Sequence, residues 1–458
     1  MTYEHTLEFL HARHASVYKG LERMRYVLAQ LGNPHETFPA VLITGTNGKG
    51  STAKIISTVL QTAGYRVGCF TSPHLVDFGE RITIDAQQIS PGEVIELVEE
   101  LRRGPLAEIE RERDLLEING IVSFFEMVTA MAFIHFARRR IDIAILEVGI
   151  GGRLDATNTV NPLVSVITNV GLDHQAMLGQ TVAAIAAEKA AIIRPGRAVV
   201  TGSRDPAALA VIESACREKN AALYQTGILD EETDVPLAAA ARPHKISPTG
   251  SFFSYQGLRT QLAELYLRLA GRHQLANAAV ALCALELLKQ QGFAATETQL
   301  RAGLATVAHP GRLEILGTNP TVVVDIAHNA MGAQAIVKAL TAIFDYDKLI
   351  LIVGVLHDKD VPGILRPFLE VADAVIFTSP HHTGRAETAA ATAQIAANLV
   401  NAAQYDHWQV QESVAAAIHA GQRLAGARDL ICVTGSNYTV SEAEMLFQQP
   451  AKHAKYAK

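Results

Sequence analysis

Lys49 stands inside a run of small residues, Gly45-Thr46-Asn47-Gly48-Lys49-Gly50-Ser51, and that combination can bind phosphate. Glycines let backbone N–H groups close on an anion, a helix starting at the run adds partial positive charge, and the lysine supplies a full one. The strict phosphate-loop spacing is not met, because Ile43 stands where the first glycine would be and Gly50 separates Lys49 from Ser51. The run is therefore a variant of that loop. Glu147 offers a second chemistry. A carboxylate that ends an apolar strand and precedes Gly149-Ile150-Gly151-Gly152 suits the holding of Mg²⁺ beside phosphate. Ser72, in Thr71-Ser72-Pro73-His74, reads either as a hydroxyl at the same ligand edge or as a turn serine before proline. His174, after Gly171-Leu172-Asp173, reads either as a ligand or as a capping residue.

These groups can meet only if the strands that deliver them end side by side. Val41, Leu42 and Ile43 form a short apolar run of the kind buried in a parallel sheet, and from Ser51 the apolar period becomes helical, with Ile56, Val59, Leu60 and Ala63 on one face. Further strands are expected at 65–70, 141–148 and 164–169, with helices at 5–31, 90–103, 123–140 and 272–290. Another helix carries Glu188 and Lys189. On residue type alone Phe124 and Phe125 read as core. Residues 227–260 read as a β-rich insertion or edge hairpin. After His309-Pro310-Gly311 a second series begins, with strands at 321–325, 348–354, 373–378, 407–410 and 429–433 alternating with helices. The expected fold is α/β: a P-loop-type, mostly parallel, doubly wound sheet domain at 1–298, followed by a smaller Rossmann-like α/β domain at 299–458.

A chain of 458 residues exceeds what one hydrophobic core usually supports, which agrees with two domains. Hydrophobic residues make up 49% and charged residues 19%, the balance of a compact protein rather than a disordered one. The formal net charge of −6 gives no basic field to attract a nucleic-acid backbone. Cys69, Cys216, Cys283 and Cys432 are far apart without a CxxC pair, so reduced, buried thiols in a cytoplasmic protein are expected. The first thirty residues are punctuated by Glu, His, Arg and Lys, and no later run reaches membrane length, so neither a signal peptide nor a membrane partner is expected.

Taken together the motifs carry more than each alone. Gly45 to Thr52, Ser72-Pro-His-Leu75, Glu147-Val-Gly-Ile-Gly-Gly-Arg-Leu-Asp-Ala-Thr-Asn158, Gly171-Leu-Asp-His174, Glu188-Lys189, Gly271-Arg-His-Gln-Leu-Ala-Asn277, Gly311-Arg312 and Asp325-Ile-Ala-His-Asn329 occur in the order seen in folylpolyglutamate synthase and dihydrofolate synthase. Over about residues 10 to 445 the chain resembles that family, part of the Mur ligase superfamily. The resemblance implies an ATP-dependent amide ligase that adds L-glutamate to a folate, to dihydropteroate or to both through an acyl phosphate, with two domains closing on the nucleotide. It also implies site residues. Gly45, Thr46, Asn47, Gly48, Lys49, Gly50 and Ser51, with Asn277, Arg312 and Asp325, would bind ATP; Ser72, Glu147 and His174 would hold Mg²⁺. Lys49, Lys189 and His328 would be catalytic. Phe124, Arg153, Leu154, Asp155, Asp325, His328 and Ser436 would meet the substrates. A monovalent cation, a carbamate on Lys189 and a monomeric state complete the expectation. Lys189 has a competing reading as a surface lysine paired with Glu188. The enzyme-class alternative is another Mur-type ligase acting on a peptidoglycan precursor or poly-γ-glutamate. A regulatory nucleotide-binding protein without ligase chemistry is a further alternative, disfavoured by the intact Lys49, Glu147, His174 and Lys189. One departure stands out: the family's second-domain motif reads Asp-Gly-Ala-His-Asn-Pro, whereas Ile326 and Ala330 replace its glycine and proline here.

Overall fold

β1 (Ala40–Thr44) is buried along its whole length, as a strand with parallel neighbours on both sides must be. The structure, a computed structural model, describes residues 1–13, 20–111, 121–229, 236–381, 383–401, 405 and 407–453. Ten further strands follow before residue 268: β2 (Val67–Phe70), β3 (Ile82–Ile84), β4 (Gln87–Gln88), β5 (Ile143–Glu147), β6 (Val164–Ile167), β7 (Ala198–Thr201), β8 (Ala222–Ile228), β9 (Ala239–Ser247), β10 (Gly250–Gln256) and β11 (Gln261–Leu267). They form one sheet in the order β11-β10-β9-β8-β7-β6-β1-β5-β2-β3-β4. From β2 through β9 every neighbouring pair is parallel, while β3 and β4 run antiparallel at one edge. The chain leaves β1 toward β2 and β5 and later crosses to β6 on its other side. This makes the carboxyl ends of β1, β5 and β6 a topological switch point, the place where open α/β sheets bind ligands.

By internal contact the chain separates into two units, one of Met1–Arg242, Ser254–Leu265 and Ala276–Val307, the other of Pro243–Phe253, Tyr266–Leu275 and Ala308–Lys458. The helix Glu297–Thr306, which a division at 298/299 would cut, packs on the helix Lys49–Thr62 and so lies in the first unit. The later part of the second unit has its own sheet of β12 (Glu314–Gly317), β13 (Thr321–Val324), β14 (Leu349–Val353), β15 (Ala374–Phe377), β16 (His407–Val410) and β17 (Leu430–Thr434), in the order β12-β13-β17-β14-β15-β16. All its pairs are parallel except β12 with β13. The fold is thus the α/β class expected, a large mostly parallel doubly wound sheet and a second, smaller one.

Differences from the sequence reading are local. In place of one helix at 5–31, the structure has Tyr3–His11 and Glu22–Gln30; residues 14–19, inside that expected helix, lie outside the described residues. Gly20 precedes the second helix, where the backbone entropy of glycine disfavours continuation. The edge insertion is the run β9–β11, and residues 230–235 of the expected 227–260 lie outside the described residues. β12 and the helix Asn437–His453 carry no strong period and were not expected. All four cysteines are free and buried, and among the described residues no helix is long and apolar enough to cross a membrane.

The helix Phe124–Arg138 is buried on nearly every side, and a polar pair sets its start. Ser123 and Glu126 form a reciprocal capping box. The same carboxylate takes the Arg23 guanidinium, with Nη2 to Oε2 at 2.6 Å and Nε to Oε1 at 3.0 Å, and Arg23 is buried. Removing one member of a buried pair costs far more than the pair contributes. Glu126→Ala should therefore lower unfolding stability by about 3–5 kcal/mol in denaturant titration. Replacing both residues, by Met at 23 and Leu at 126, should cost less.

Candidate active site

The phosphate loop leaves β1 at Thr44, and its shape depends on two glycines in the left-handed half of backbone space, Gly45 (φ +154°) and Gly48 (φ +82°). Any Cβ at Gly45 would collide with the Thr168 hydroxyl, and one at Gly48 would collide with the Asn277 carboxamide. Asn277 therefore abuts the loop. The helix Lys49–Thr62 begins at the loop without a side-chain cap.

The loop is stitched to the segment after β6. Thr46 N–H donates to the Asn169 carbonyl at 2.9 Å, and Asn47 N–H donates to Asn169 Oδ1 at 2.9 Å. Thr168 Oγ1 donates to the Asn47 carbonyl at 2.6 Å, and the Thr46 hydroxyl exchanges hydrogen bonds with Gly171 at 3.0 and 3.1 Å. Two N–H groups of the loop are thus taken by protein. Phosphate oxygens would be served by the helix start, from Gly48 to Ser51. Neither Thr168 nor Asn169 was singled out from the sequence, since a Thr-Asn pair after a strand carries no signal of its own.

Two lysines meet at this loop. Lys49 Nζ donates to the Gly45 and Thr46 carbonyls at 3.1 and 3.2 Å, and Lys189 Nζ donates to the Gly45 carbonyl at 2.9 Å. Lys189 is only 3% exposed, which excludes its reading as a surface lysine; Glu188 pairs with Arg153 at 3.0 Å instead. Burial and the Lys49 ammonium bring the Lys189 amine down to about 7, against the opposing pull of Asp173 and Asp155. Thr46, Lys49, Asp173, His174 and Lys189 line one cavity with Gly149, Ile150 and Gly151. Asp173, passed over in the sequence, also accepts the N–H of His174 at 2.8 Å and steadies that residue at φ +49°.

Glu147 ends β5 beside Ile43 of β1. It is buried, and one carboxylate oxygen accepts the Ser72 N–H at 3.0 Å, which brings Ser72 and Glu147 together. Among the described residues no group of three or more His, Cys, Asp and Glu side chains is placed to hold a metal ion. The Glu147 carboxylate beside Ser72 still fits Mg²⁺, which takes one or two carboxylates and completes its shell with phosphates and water.

Of the expected substrate residues, Asp155 is buried and knots its own turn, accepting from Gly149 and Ile150 N–H at 3.0 and 3.2 Å and from Thr157 at 3.0 and 2.5 Å. Burial raises its carboxyl above the usual range. Arg153 and Leu154 are exposed. Phe124 is buried under a polar lid that the sequence did not disclose: the His11 ring stacks on it at 5.3 Å and the Arg81 guanidinium lies 5.1 Å from its centroid. Arg81 Nε donates to His74 Nδ1 at 2.7 Å, and burial together with Arg81 pushes His74 down to about 3, so this imidazole is neutral.

In the second unit Asp325 is also buried. Its carboxylate accepts the N–H groups of Leu313 and Ala327 at 3.0 and 2.9 Å, and burial, opposed by Arg312, raises it to about 6. Arg312 is half-buried, its Nη1 on the Gly311 carbonyl. His328 Nδ1 lies 2.9 Å from the Ile326 carbonyl, which only accepts, so Nδ1–H is the donor of that bond. Ser436 is fully buried, 2.8 Å from the Thr439 hydroxyl, and caps the following helix through Thr439 N–H at 3.1 Å. The loop carrying Ile326 and Ala330 is an ordinary strand-to-helix turn, with Ala330 at the first helical position and the Asn329 side chain accepting from Gly332 N–H at 2.8 Å.

A phosphate loop at a switch point with a strand-end carboxylate and a buried lysine beside it suits an enzyme that transfers a phosphoryl group. Comparison with known proteins agrees: residues 115–285 match the Mur ligase middle domain and residues 311–437 match the Mur ligase glutamate ligase domain. The dihydrofolate synthase/folylpolyglutamate synthase of Bacillus subtilis is 33% identical over 443 residues, 96% of this chain and 98% of that protein. The structure of Mycobacterium tuberculosis folylpolyglutamate synthase complexed with ADP superposes with a TM-score of 0.88 at 34% identity, covering 97% of this chain and 98% of that one. That of Escherichia coli FolC in complex with DHPP and ADP gives 0.84 at 29%, covering 98% and 99%. The chain belongs to the dihydrofolate synthase/folylpolyglutamate synthase family.

The lysine at the loop has a thermodynamic signature. Native Lys189 releases its proton near pH 7, whereas in the unfolded chain it does so near 10.5. Between those values the unfolded state binds more protons, so stability rises with pH. In CO₂-free buffer, the stability of the natural protein relative to Lys189→Met should climb from pH 7.5 to 10 by up to about 1.4 kcal/mol per unit, read by urea titration at each pH. Below about pH 6 the difference should be constant.

Proposed function

We propose that the chain is an ATP-dependent amide ligase that adds L-glutamate to a folate, to dihydropteroate, or to both, and that it works as a cytoplasmic monomer. One observation carries the reading: Lys49 and Lys189 converge on the Gly45 carbonyl inside a glycine loop at the carboxyl end of β1. The γ-phosphoryl group of ATP passes to an acceptor carboxylate, breaking the bond to the β-phosphate oxygen and releasing ADP. The glutamate amine then attacks the acyl carbon, the C–N bond forms, the C–O bond breaks and phosphate leaves with its electron pair. Lys49, freed from the loop carbonyls, follows the charge that develops on the phosphate oxygens. N–H groups from Gly48 to Ser51 hold those oxygens, and Asn277, Arg312 and Asp325 are assigned to the rest of the nucleotide. Nε2 of His328 takes the proton that the amine loses. Phe124, Leu154, Asp155 and Ser436 are assigned to shaping the substrate sites.

Ser72, Glu147 and His174 would hold Mg²⁺, which neutralises phosphate charge when bound. Lys189 is assigned a carbamate. A buried amine of about pKa 7 is substantially neutral at physiological pH, and only the neutral amine adds to CO₂, losing a proton as the N–C bond forms. The product is an anion where an ammonium would repel a metal ion.

The deciding experiment measures ADP release with L-glutamate and either dihydropteroate or tetrahydrofolate; turnover with a peptidoglycan precursor and with neither of these acceptors would overturn the assignment. Lys49→Ala should lower turnover by at least about a hundredfold without changing the fold by circular dichroism. Lys189→Ala should be inactive and partly restored by a short carboxylic acid such as acetate, whereas Lys189→Gln, which fills the vacated space, should not be restored.

A further inference from the structure

The helix Val182–Ala190 carries Lys189 in its last turn, where carbonyl groups lack partners within the helix. The turn after β5 supplies them. Arg153 N–H donates to the Glu188 carbonyl at 2.9 Å, Arg153 Nη2 donates to the Ala187 carbonyl at 3.3 Å, and Arg153 Nε donates to the Glu188 carboxylate at 3.0 Å. Gly152 permits this approach, because a Cβ there would lie 2.7 Å from the Glu188 carbonyl oxygen and 3.1 Å from that of Lys189. A guanidinium at this end of a helix also meets the negative pole of its dipole. The same turn is closed by Asp155, so Arg153 projects from a knotted base and not from a loose loop.

We propose that Arg153 is a positioning residue of the ligase reaction: it clamps the last turn of this helix so that the Lys189 side chain meets the Gly45 carbonyl, and it does not grip the acceptor. The proposal rests on the role given to Lys189 above. The geometry is demanding because Nζ sits at the end of a four-carbon stem, and its contact with Gly45 spans 2.9 Å. A small turn of the helix end therefore shifts the amine by more than a hydrogen bond tolerates, and displacements near 1 Å at a reacting site cost up to about a hundredfold in rate. The ion pair itself is half exposed and adds little to stability.

Steady-state kinetics with dihydropteroate or tetrahydrofolate as acceptor test this. Arg153→Ala should lower kcat by about tenfold or more with the acceptor KM unchanged within about twofold, and should melt within about 2–4 °C of the natural protein. Arg153→Lys, which can still reach Glu188, should recover part of the loss. Glu188→Gln should reproduce the pattern at smaller size. An Arg153→Ala variant whose acceptor KM rises tenfold while kcat is kept would make Arg153 a substrate ligand and overturn the proposal, as would a variant with neither constant changed. Lys189→Ala, assayed alongside, separates the two levels: if it is inactive while Arg153→Ala is normal, the clamp alone fails; if it turns over normally, the role of Lys189 fails.

Discussion

The carbonyl oxygen of Gly45 accepts from two lysine side chains at once, Lys49 at 3.1 Å and Lys189 at 2.9 Å. A carbonyl has two lone pairs, so it can serve both, but two ammonium groups at one buried oxygen would repel strongly in a medium of low dielectric. Burial, with the Lys49 ammonium, therefore brings Lys189 down to about 7, well below an ordinary lysine. The arrangement also demands three elements at one point: the end of β1, the start of the helix Lys49–Thr62 and the end of the helix Val182–Ala190. Much of the first unit serves that convergence. β5 and β6 flank β1 in register, Ile43 beside Glu147 and Thr44 beside Ile167, and each delivers a loop to the same edge.

The loop that results does not hold its own shape. Its hydrogen bonds run outward, to Asn169 and Gly171 on one side and from Thr44 Oγ1 to the Gly151 carbonyl on the other. The turns after β5 and β6 are thereby tied to the phosphate site and to each other. Residues that carry no motif signal of their own, such as Thr168 and Asp173, hold the backbone at Asn47 and His174.

Much of this was legible in the chain because it is written in local patterns. Val41 to Ile43 followed by glycines and a helical period can fold in few ways, and the strands and helices of the second sheet lie within a few residues of their expected bounds. The long-range partners were not legible. Nothing local links Lys189 to Gly45 across 144 positions, or Arg23 to Glu126 across 103; only the folded chain brings them together. Nor does sequence separate residues that face a ligand from those that hold the turn. Asp155 and Asp325 stand in site motifs, and nothing local in the sequence shows that each also holds its own turn through backbone N–H groups. Short edge strands such as β12, with a bulge and four half-buried residues, leave no period to read.

The turn from β13 into the helix Ala330–Ile343 bears on how such motifs drift. Its geometry is secured by Asp325, which takes two backbone N–H groups, and by Asn329, which caps the helix. The first helical position needs no N–H partner, so a proline there contributes only a preset φ, and alanine, the best helix former, stands in at small cost. Likewise Ile326 has negative φ and donates its N–H to the Gly311 carbonyl at 3.1 Å, a conformation that makes no demand for glycine. A search pattern that insists on glycine and proline at these positions would discard this chain. One that weights Asp325, His328 and Asn329 would keep it, because natural variation is free wherever a motif residue supplies only convenience to the backbone.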